Sequence, residues 1–279
     1  MRIRRVAILI DGGFFLKRLP KIVGEDRRDS AEKVAGIINL MCRNHIRYLT
    51  KCPKGQWQDH VYRIFFYDAV PYDGKAHHPL ENKSIDFSKT ETATFRSGLF
   101  DRLRKQRKVA LRLGKVTREG DWSPPAEKVR RVLATRDWLA AIDLTELDEG
   151  GNVTLTKAQV EQAKSLQKKW ADIKTEDVTL GLRQKGVDMR IGLDIASLTL
   201  KRQADTIILV SGDSDFVPAA KLARREGVEF ILDPLWQSVN DDLFEHIDGL
   251  QSGLWKPGTK PPAAVAKAAE AEEDNGNDE

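Results

Sequence analysis

The chain has 279 residues and a formal net charge of +4. This length allows one large domain or two small ones, and the absence of any run of about 18 apolar residues argues against a membrane span or a membrane partner. The first five residues lead directly into an apolar strand, so we expect no signal peptide. Two cysteines, Cys42 and Cys52, do not make a disulfide framework, and we therefore expect a cytoplasmic protein.

The charge is distributed unevenly along the chain. From Lys256 onward there are three Lys and six Asp or Glu, which leaves residues 1–255 with a net charge of +7. A basic body is compatible with a polyanionic partner such as RNA or DNA, although an ordinary solvated surface explains it equally well. Residues 256–279 consist mainly of Pro, Ala, Lys and Glu and cannot bury a core, so we expect a disordered acidic tail.

Apolar strands alternate with amphipathic helices at both ends of the basic body. The predicted elements before residue 117 are a strand over Arg5–Asp11, a helix over Ser30–His45 capped by Ser30, a strand over Val61–Tyr67, a helix over Glu91–Arg107 and a strand over Val109–Leu113 closed by Gly114. Those after residue 180 are a mostly helical segment over Val187–Arg202, a strand over Thr206–Ser211, a helix over Ser214–Arg225 and a strand over Val228–Leu232.

Residues 117–180 interrupt this alternation. They contain the pair Pro124-Pro125, a helix-like stretch over Val129–Ile142, a turn over residues 149–152 and a helix over Lys157–Ala171. We interpret them as a helical insertion in a single domain that spans residues 1–255. Strands alternating with helices predict an α/β fold, in which helices flank a doubly wound, mainly parallel sheet.

Carboxylates follow two of the predicted strands. Asp11 ends the first strand, and the strand before Ser211 is followed by Ser-Gly-Asp-Ser-Asp, which contains Asp213 and Asp215. Ligands of such sheets bind at the carboxyl ends of the strands, and carboxylates brought together there repel one another unless a cation lies among them. Oxygen ligands suit Mg²⁺ or Mn²⁺, so the pattern predicts a metal-dependent enzyme that acts on phosphates. For Asp215, capping of the following helix is an equally good explanation.

The segment that begins at Val187 has two interpretations. As one helix it buries an apolar stripe on which Asp194 also falls, and Asp188 then lies closer to the strand ends. Alternatively, apolar residues alternate as in an extended stretch, and the helix begins after Gly192 with Asp194 as its cap, close to the metal. A cap or an ion pair with an Arg would account for either carboxylate, and spacing alone does not choose between these alternatives.

These motifs resemble those of the NYN domain, specifically its bacterial LabA-like branch, within the PIN-like nuclease superfamily. The matching stretches are Asp11-Gly12-Gly13, Lys185-Gly186-Val187-Asp188 with Asp194, and Ser211-Gly212-Asp213-Ser214-Asp215-Phe216. They occur in the expected order, and the resemblance covers most of residues 1–255 apart from the insertion. The step of 19 residues from Asp194 to Asp213 is similar to the acidic spacing of PIN-like domains and favours Asp194 as a metal ligand.

The resemblance implies a PIN-like fold and a metal-dependent endoribonuclease that hydrolyses RNA phosphodiester bonds. Five carboxylates would hold one or two Mg²⁺ or Mn²⁺ ions, which activate a water molecule and neutralise charge on the phosphodiester: Asp11, Asp188, Asp194, Asp213 and Asp215. Four basic residues near the same rim are candidates for phosphate contacts: Lys17, Arg18, Lys185 and Arg190.

One departure from the family pattern concerns the residues after Asp11. Many relatives have an Asn there, whereas this chain has Phe14 and Phe15, so a polar contact near the metal is expected to be missing and catalysis to be impaired. Together with the insertion, Phe14 suggests an alternative, a non-catalytic RNA-binding or regulatory module that retains the fold. A second alternative is a phosphatase or nuclease acting on other phosphate esters, including DNA, since an acidic site does not name its substrate.

Three further features carry weaker signals. The set Cys42, His45, Cys52 and His60 fits no strong zinc template, so we expect no structural zinc. Asp68 follows the second predicted strand, so it either borders the crevice at the strand ends or, as the simpler account, is solvated in a loop. Residues 102–118 include eight Lys or Arg, which indicate either an RNA-binding track or a solvated helix face. A homo-oligomer is compatible with the sequence, which does not indicate an oligomeric state.

Overall fold

The structure, a computed structural model, describes residues 4–140, 142, 151 and 153–259. The chain divides into two compact units. The first is formed by Met1–Pro71, Ser88–Val116 and Gln184–Glu279, and the second by Tyr72–Phe87 and Thr117–Arg183. No helix in the described part of the chain is long and apolar enough to cross a membrane.

The described strands are β1 (Val6–Asp11), β2 (Val61–Val70), β3 (Lys75–His77), β4 (Ser84–Asp86), β5 (Val109–Ser123), β6 (Thr179–Lys185), β7 (Thr206–Val210), β8 (Glu229–Asp233) and β9 (Gly249–Leu250). The described helices are α1 (Gly12–Arg18), α2 (Ala31–Thr50), α3 (Glu91–Lys105), α4 (Ala126–Leu133), α5 (Arg136–Ala140), α6 (Lys157–Ala171), α7 (Val187–Leu200), α8 (Val217–Arg225) and α9 (Asp241–Phe244).

The large sheet has seven strands in the order β6-β5-β2-β1-β7-β8-β9. In this spatial order, each strand from β5 through β2, β1, β7 and β8 to β9 runs parallel to its neighbour. Strand β1 is central, with Asp11 opposite Tyr67 of β2 and Ile10 opposite Val210 of β7. The carboxyl ends of these three strands therefore meet at one edge of the sheet. The predicted α/β class with a mainly parallel sheet is confirmed.

The apolar composition of the strands explains why helices cover both faces of the sheet. Successive side chains of a strand point to opposite faces, so a strand that is apolar throughout needs a cover on each side. Ile8 and Ile10 belong to the core cluster that contains Ile38 of α2, whereas Leu9 belongs to the cluster that contains Ile191 of α7. Asp11 continues the alternation of Leu9 and therefore faces α7.

Helix α2 begins as predicted and ends later. Ser30 caps it, with its side-chain oxygen accepting a hydrogen bond from the backbone N–H of Lys33. The helix continues past His45 to Thr50 and stops where Lys51 adopts a left-handed conformation (φ 55°). His45 did not mark the end because its side chain is fully buried against the core, as an interior helical position allows.

Two strands are longer than the sequence pattern predicted. Strand β2 includes Asp68 and continues to Val70, and β5 passes through Gly114 and continues to Ser123. Gly114 is not a terminator, because it pairs with Ala69 of β2 and a side chain there would lie 2.3 Å from the carbonyl oxygen of Lys185. The glycine permits a close approach of two chain segments instead of a turn.

The segment after β6 forms one continuous helix, the first of the two interpretations. Helix α7 begins at Val187, directly after Gly186, whose φ of 75° only glycine adopts readily. Val187 and Ile191 are already buried on the core side, so the helical stripe is complete before Gly192. Asp194 is therefore an interior helical residue and not a cap.

The second unit contains a small antiparallel sheet, β3 with β4, together with α4, α5 and α6. The predicted helix over Val129–Ile142 is observed as two helices that break at Ala134 and Thr135, and the predicted helix Lys157–Ala171 is confirmed. Lys128 forms an ion pair with Asp177. The unit includes the predicted insertion and also Tyr72–Phe87. The predicted turn at 149–152, apart from Gly151, and residues 260–279 of the predicted tail lie outside the described residues.

Candidate metal centre at the carboxyl edge of the sheet

Asp11 is fixed by the turn that joins β1 to α1. Its carboxylate oxygen Oδ1 accepts a hydrogen bond from the backbone N–H of Phe14 at 3.0 Å, as an N-cap does. Burial raises the pKa of Asp11 to about 6, the N–H of Phe14 opposes this shift, and the negative charges of Asp188 and Asp68 add to it. Asp11 is therefore harder to ionise than an exposed Asp, and it lies close to other carboxylates.

Asp188 lies in the first turn of α7, which starts at the same edge of the sheet. Its pKa is raised above the usual range, first by burial and then by the charges of Asp213 and Asp215. Since Asp188 also raises the pKa of Asp11, it connects the end of β1 electrostatically to the loop after β7.

The loop after β7 holds Asp213 and Asp215 in a defined turn. Asp213 Oδ1 accepts the backbone N–H of Asp215 at 3.0 Å, and the buried Ser211 accepts the N–H of Asp213 through Oγ at 3.3 Å. Phe216 ends the short 3-10 helix that follows and is buried, which anchors the loop to the core. Asp215 supplies a backbone donor to this turn and leaves its carboxylate exposed.

Four of the five predicted carboxylates thus come together at one edge of the first unit: Asp11, Asp188, Asp213 and Asp215. In the described ranges none of the four forms an ion pair with Lys or Arg. The charges of neighbouring carboxylates raise the pKa of Asp11 and of Asp188, and oxygen donors brought together in this way fit a hard divalent cation. Within the described residues, no three His, Cys, Asp or Glu side chains are arranged as ligands of one metal ion, so coordination would require these side chains to draw closer together.

Asp194 has different partners. Tyr67 donates its hydroxyl to Oδ2 at 2.9 Å, and Arg112 donates Nη2 to Oδ1 at 2.8 Å. The step of six residues from Asp188 to Asp194 corresponds to about 9 Å along a helix, which takes Asp194 away from the rim. Burial and the charge of Asp194 raise the pKa of Tyr67, so its hydroxyl remains a donor. Metal binding by Asp194 stays a prediction.

The ion pair between Asp68 and Arg96 was not predicted from the sequence, although the charge of Asp68 acts on Asp11. Asp68 is fully buried and pairs with Arg96 of α3, whereas a solvated loop was expected. Its Oδ1 also accepts the N–H of Ala69 at 2.8 Å, but Oδ2 has no hydrogen-bond partner among the described residues. Burial raises the pKa of Asp68, and Arg96 opposes that shift. Asp68 shares the alternation of Ile64 and Phe66, both buried, and this pattern could have revealed it.

The predicted phosphate contacts lie in different environments. Lys17 is exposed on α1, whereas Arg18 donates Nη2 to the carbonyl of Leu235 at 2.9 Å and so has a structural contact. Lys185 and Arg190 line a cavity beside the start of α7. Among the residues considered for zinc, His45 is buried and its Nε2 is hydrogen-bonded to Asp233 Oδ2 at 2.8 Å.

Comparison with known proteins supports the family resemblance. The family model of the NYN domain matches residues 143–248, a range that includes four of the five predicted carboxylates but not Asp11. None of the curated proteins compared with the chain matches it. A solved structure from Vibrio parahaemolyticus, of a protein of unknown function, aligns with 91% of this chain and 99% of its own chain, at 13% identity and a TM-score of 0.34.

The NYN model matches fewer than half of the residues of the chain, and the mainly parallel sheet flanked by helices is consistent with the PIN-like fold of NYN domains. NYN domains are typically ribonucleases, and PIN-like nuclease domains generally use divalent metal ions. The chain is therefore similar to NYN domains over the segment that carries Asp188, Asp194, Asp213 and Asp215, and this similarity suggests a nuclease-like function related to RNA.

Proposed function

We propose that this protein is a metal-dependent endoribonuclease of the NYN type, in the LabA-like branch, that hydrolyses RNA phosphodiester bonds. The observation that carries the proposal is the set of four carboxylates from β1, α7 and the loop after β7, without a cationic partner in the described residues. Their mutual repulsion is relieved most directly by Mg²⁺ or Mn²⁺. We propose Asp11, Asp188, Asp213 and Asp215 as the ligands.

A bound divalent ion would activate a water molecule and neutralise charge on the phosphodiester. The chain's own contribution is to hold the ligands before the ion arrives. The N–H of Phe14 fixes Asp11, and the N–H of Asp215 fixes Asp213. Because burial raises the pKa of Asp11 to about 6, this carboxylate is largely ionised at neutral pH and available to a cation.

Phe14 gives the second candidate function its support. An added side chain at Gly212 would lie 2.7 Å from Cε2 of Phe14, so the Phe14 ring packs against the loop that carries Asp213. A ring cannot supply the polar contact that an Asn would make near the metal. This observation favours a non-catalytic RNA-binding module as the alternative, and it predicts slow cleavage if the protein is an enzyme.

The variant Asp213→Asn tests the proposal. Asn keeps the size of the side chain and an oxygen that can accept the N–H of Asp215, but it removes the charge. We expect Mn²⁺-dependent cleavage of labelled RNA to fall roughly 100-fold or more, as for the loss of a metal ligand, with an unchanged circular dichroism spectrum. Asp101→Asn is the matched control, since this carboxylate is exposed on α3 and, among the described residues, pairs only with Arg104 three residues later.

The same assay separates the alternatives. RNA binding by the wild type without cleavage, in Mn²⁺ as in chelator, would support the non-catalytic module. Equal cleavage of DNA would point to a broader phosphodiesterase. Full activity of a folded Asp213→Asn preparation would remove this carboxylate from the site.

A further inference from the structure

A cavity of about 350 Å³ opens beside the candidate metal centre in the first unit. One wall is formed by residues 113–115 of β5, and the other by the end of β6 and the start of α7. The lining residues are Leu113, Gly114, Lys115, Lys185, Gly186 and Arg190.

Two glycines allow the walls of this cavity to approach each other closely. A side chain at Gly114 would lie 2.3 Å from the carbonyl oxygen of Lys185, and one at Gly186 would lie 2.6 Å from Nη1 of Arg190. Gly186 also has a φ of 75°, which disfavours any other residue. The path of the chain around the cavity therefore depends on glycine at both positions.

Three of the six lining residues are cationic. Lys115 is exposed on β5, and Lys185 ends β6. The Nη1 atom of Arg190 donates to the carbonyl of Gly186 at 2.5 Å, which holds the guanidinium over the cavity and leaves its other N–H groups available. No carboxylate of the described residues pairs with Lys115 or Arg190, so the charges of these two residues are available to an external anion.

The cavity adjoins the candidate metal centre along the chain. Asp188 lies between Gly186 and Arg190, in the first turn of α7. A positive cavity next to a negative metal centre suits a strand of nucleic acid, whose phosphates recur along the backbone.

We infer that the cavity lined by Lys115, Lys185 and Arg190 binds a phosphate group of the RNA other than the one that is cleaved. The inference rests on the proposed function, which it extends by a second point of contact with the substrate. The phosphate belongs either to an internal phosphodiester or to a free 5′ end. Both present the same anionic oxygens, so the test distinguishes them.

The experiment measures binding without cleavage. The Kd of a fluorescent single-stranded RNA is determined by anisotropy in EDTA for the wild type, Lys115→Gln, Arg190→Gln and the double variant. Loss of one exposed charge contact should weaken binding about two- to fivefold at low salt. The slope of log K against log salt should become shallower by about 0.7 for each lost phosphate contact. Thermal unfolding verifies that each variant is folded.

Lys201→Gln is the matched control, because Lys201 is exposed at the C-terminal end of α7, the end of the helix away from Asp188. The control should leave the salt dependence unchanged. An unchanged slope in both single variants and in the double variant would overturn the inference, and so would an equal loss in Lys201→Gln. Because EDTA removes the metal, failure of cleavage and failure of this phosphate contact are separate results.

RNAs with a 5′-phosphate and a 5′-hydroxyl distinguish the source of the phosphate. If the cavity holds a terminal phosphate, the wild type should bind the 5′-phosphorylated RNA more tightly, and the double variant should lose this preference. If it holds an internal phosphodiester, both RNAs should bind equally and both should be weakened in the double variant.

Discussion

At the scale of single residues, the candidate site consists of carboxylates whose negative charges lie close together in the folded protein. Asp11 combines burial, two backbone donors and two nearby negative charges, and its pKa reaches about 6. A group with a shifted pKa makes the stability of the protein depend on pH, because the folded and unfolded chains bind its proton over different ranges of pH.

The first prediction concerns Asp11→Asn in the metal-free protein. Between its ordinary pKa of 3.8 and the folded value of about 6, the folded protein keeps a proton that the unfolded chain has lost. The contribution of Asp11 to the free energy of unfolding should therefore fall as pH rises through this window, by roughly 3 kcal/mol at most. Urea unfolding in EDTA at pH 4.5 and pH 7 measures it.

Asn does not titrate, so Asp11→Asn should gain stability relative to the wild type as pH rises from 4.5 to 7. The comparison of the two proteins cancels the groups that titrate in both. If the two stability profiles run parallel, the environment described for Asp11 is wrong.

The second prediction compares two carboxylates on α7. Asp194→Asn weakens the contact with Arg112 and Tyr67, so we expect the apo protein to lose about 1–2 kcal/mol; Arg112 is 46% exposed, which limits the loss. Its Mn²⁺ affinity, measured by calorimetry, should stay unchanged. Asp188→Asn should do the reverse, weakening Mn²⁺ binding without loss of apo stability. Weaker Mn²⁺ binding by Asp194→Asn would instead support its predicted role as a ligand.

Residue positions were predictable from the sequence where strand ends are unambiguous. Asp11 and Asp213 follow strands of apolar residues only, so their edge of the sheet follows from periodicity. Asp68 was misjudged because its strand was predicted to end at Tyr67, three residues too early, although its alternation with Phe66 places its side chain inward. Asp194 stayed ambiguous because the residues from Val187 to Leu193 satisfy both a helical and an alternating pattern.

At the scale of elements, glycines that look alike in the sequence have different structural roles. Gly114 ended a predicted strand, but the observed strand continues through it because another chain segment crosses there. Gly186 starts α7 with a φ of 75°, and Gly192 lies inside the same helix with no atom within 4 Å of an added side chain. The contact between Gly114 and Lys185 joins residues far apart in the sequence, so the local pattern could not predict it.

The third prediction uses these two positions on α7. Gly186→Ala should destabilise the protein by about 1–2 kcal/mol, since an L-residue is strained in the left-handed region. Gly192→Ala should stabilise it by about 0.5–1 kcal/mol, because alanine is the better helix former and the site is open. Thermal and urea unfolding measure both changes. A loss of stability in both variants would contradict the helix boundary at Val187.

At the scale of the whole molecule, the sheet was predictable and the second unit was only partly so. Strands apolar on both faces require covering helices, and this requirement gives the α/β class directly. The second unit also contains Tyr72–Phe87, whose strands β3 and β4 have three residues each. Strands this short carry too little alternation to be recognised in a sequence.

The fourth prediction concerns residues 260–279, which hold two Lys and six Asp or Glu. Their deletion raises the net charge from +4 to +8 and keeps Trp255, whose Nε1 donates to the carbonyl of Ile22 at 3.2 Å. We therefore expect unchanged thermal stability. If the acidic tail competes with RNA for the basic body, the truncated protein should bind RNA more tightly at low salt, and the gain should disappear as the Debye length shrinks to about 3 Å near 1 M salt.

A full-length chain in which the six acidic residues of the tail become Asn or Gln is the matched control, since it removes the charge and keeps the length. Equal tightening in the truncated and neutralised proteins would assign the effect to charge, as electrostatic competition requires. Tightening by truncation alone would mean that the tail obstructs the surface sterically. If neither protein binds RNA more tightly at low salt, the tail does not compete for the basic surface.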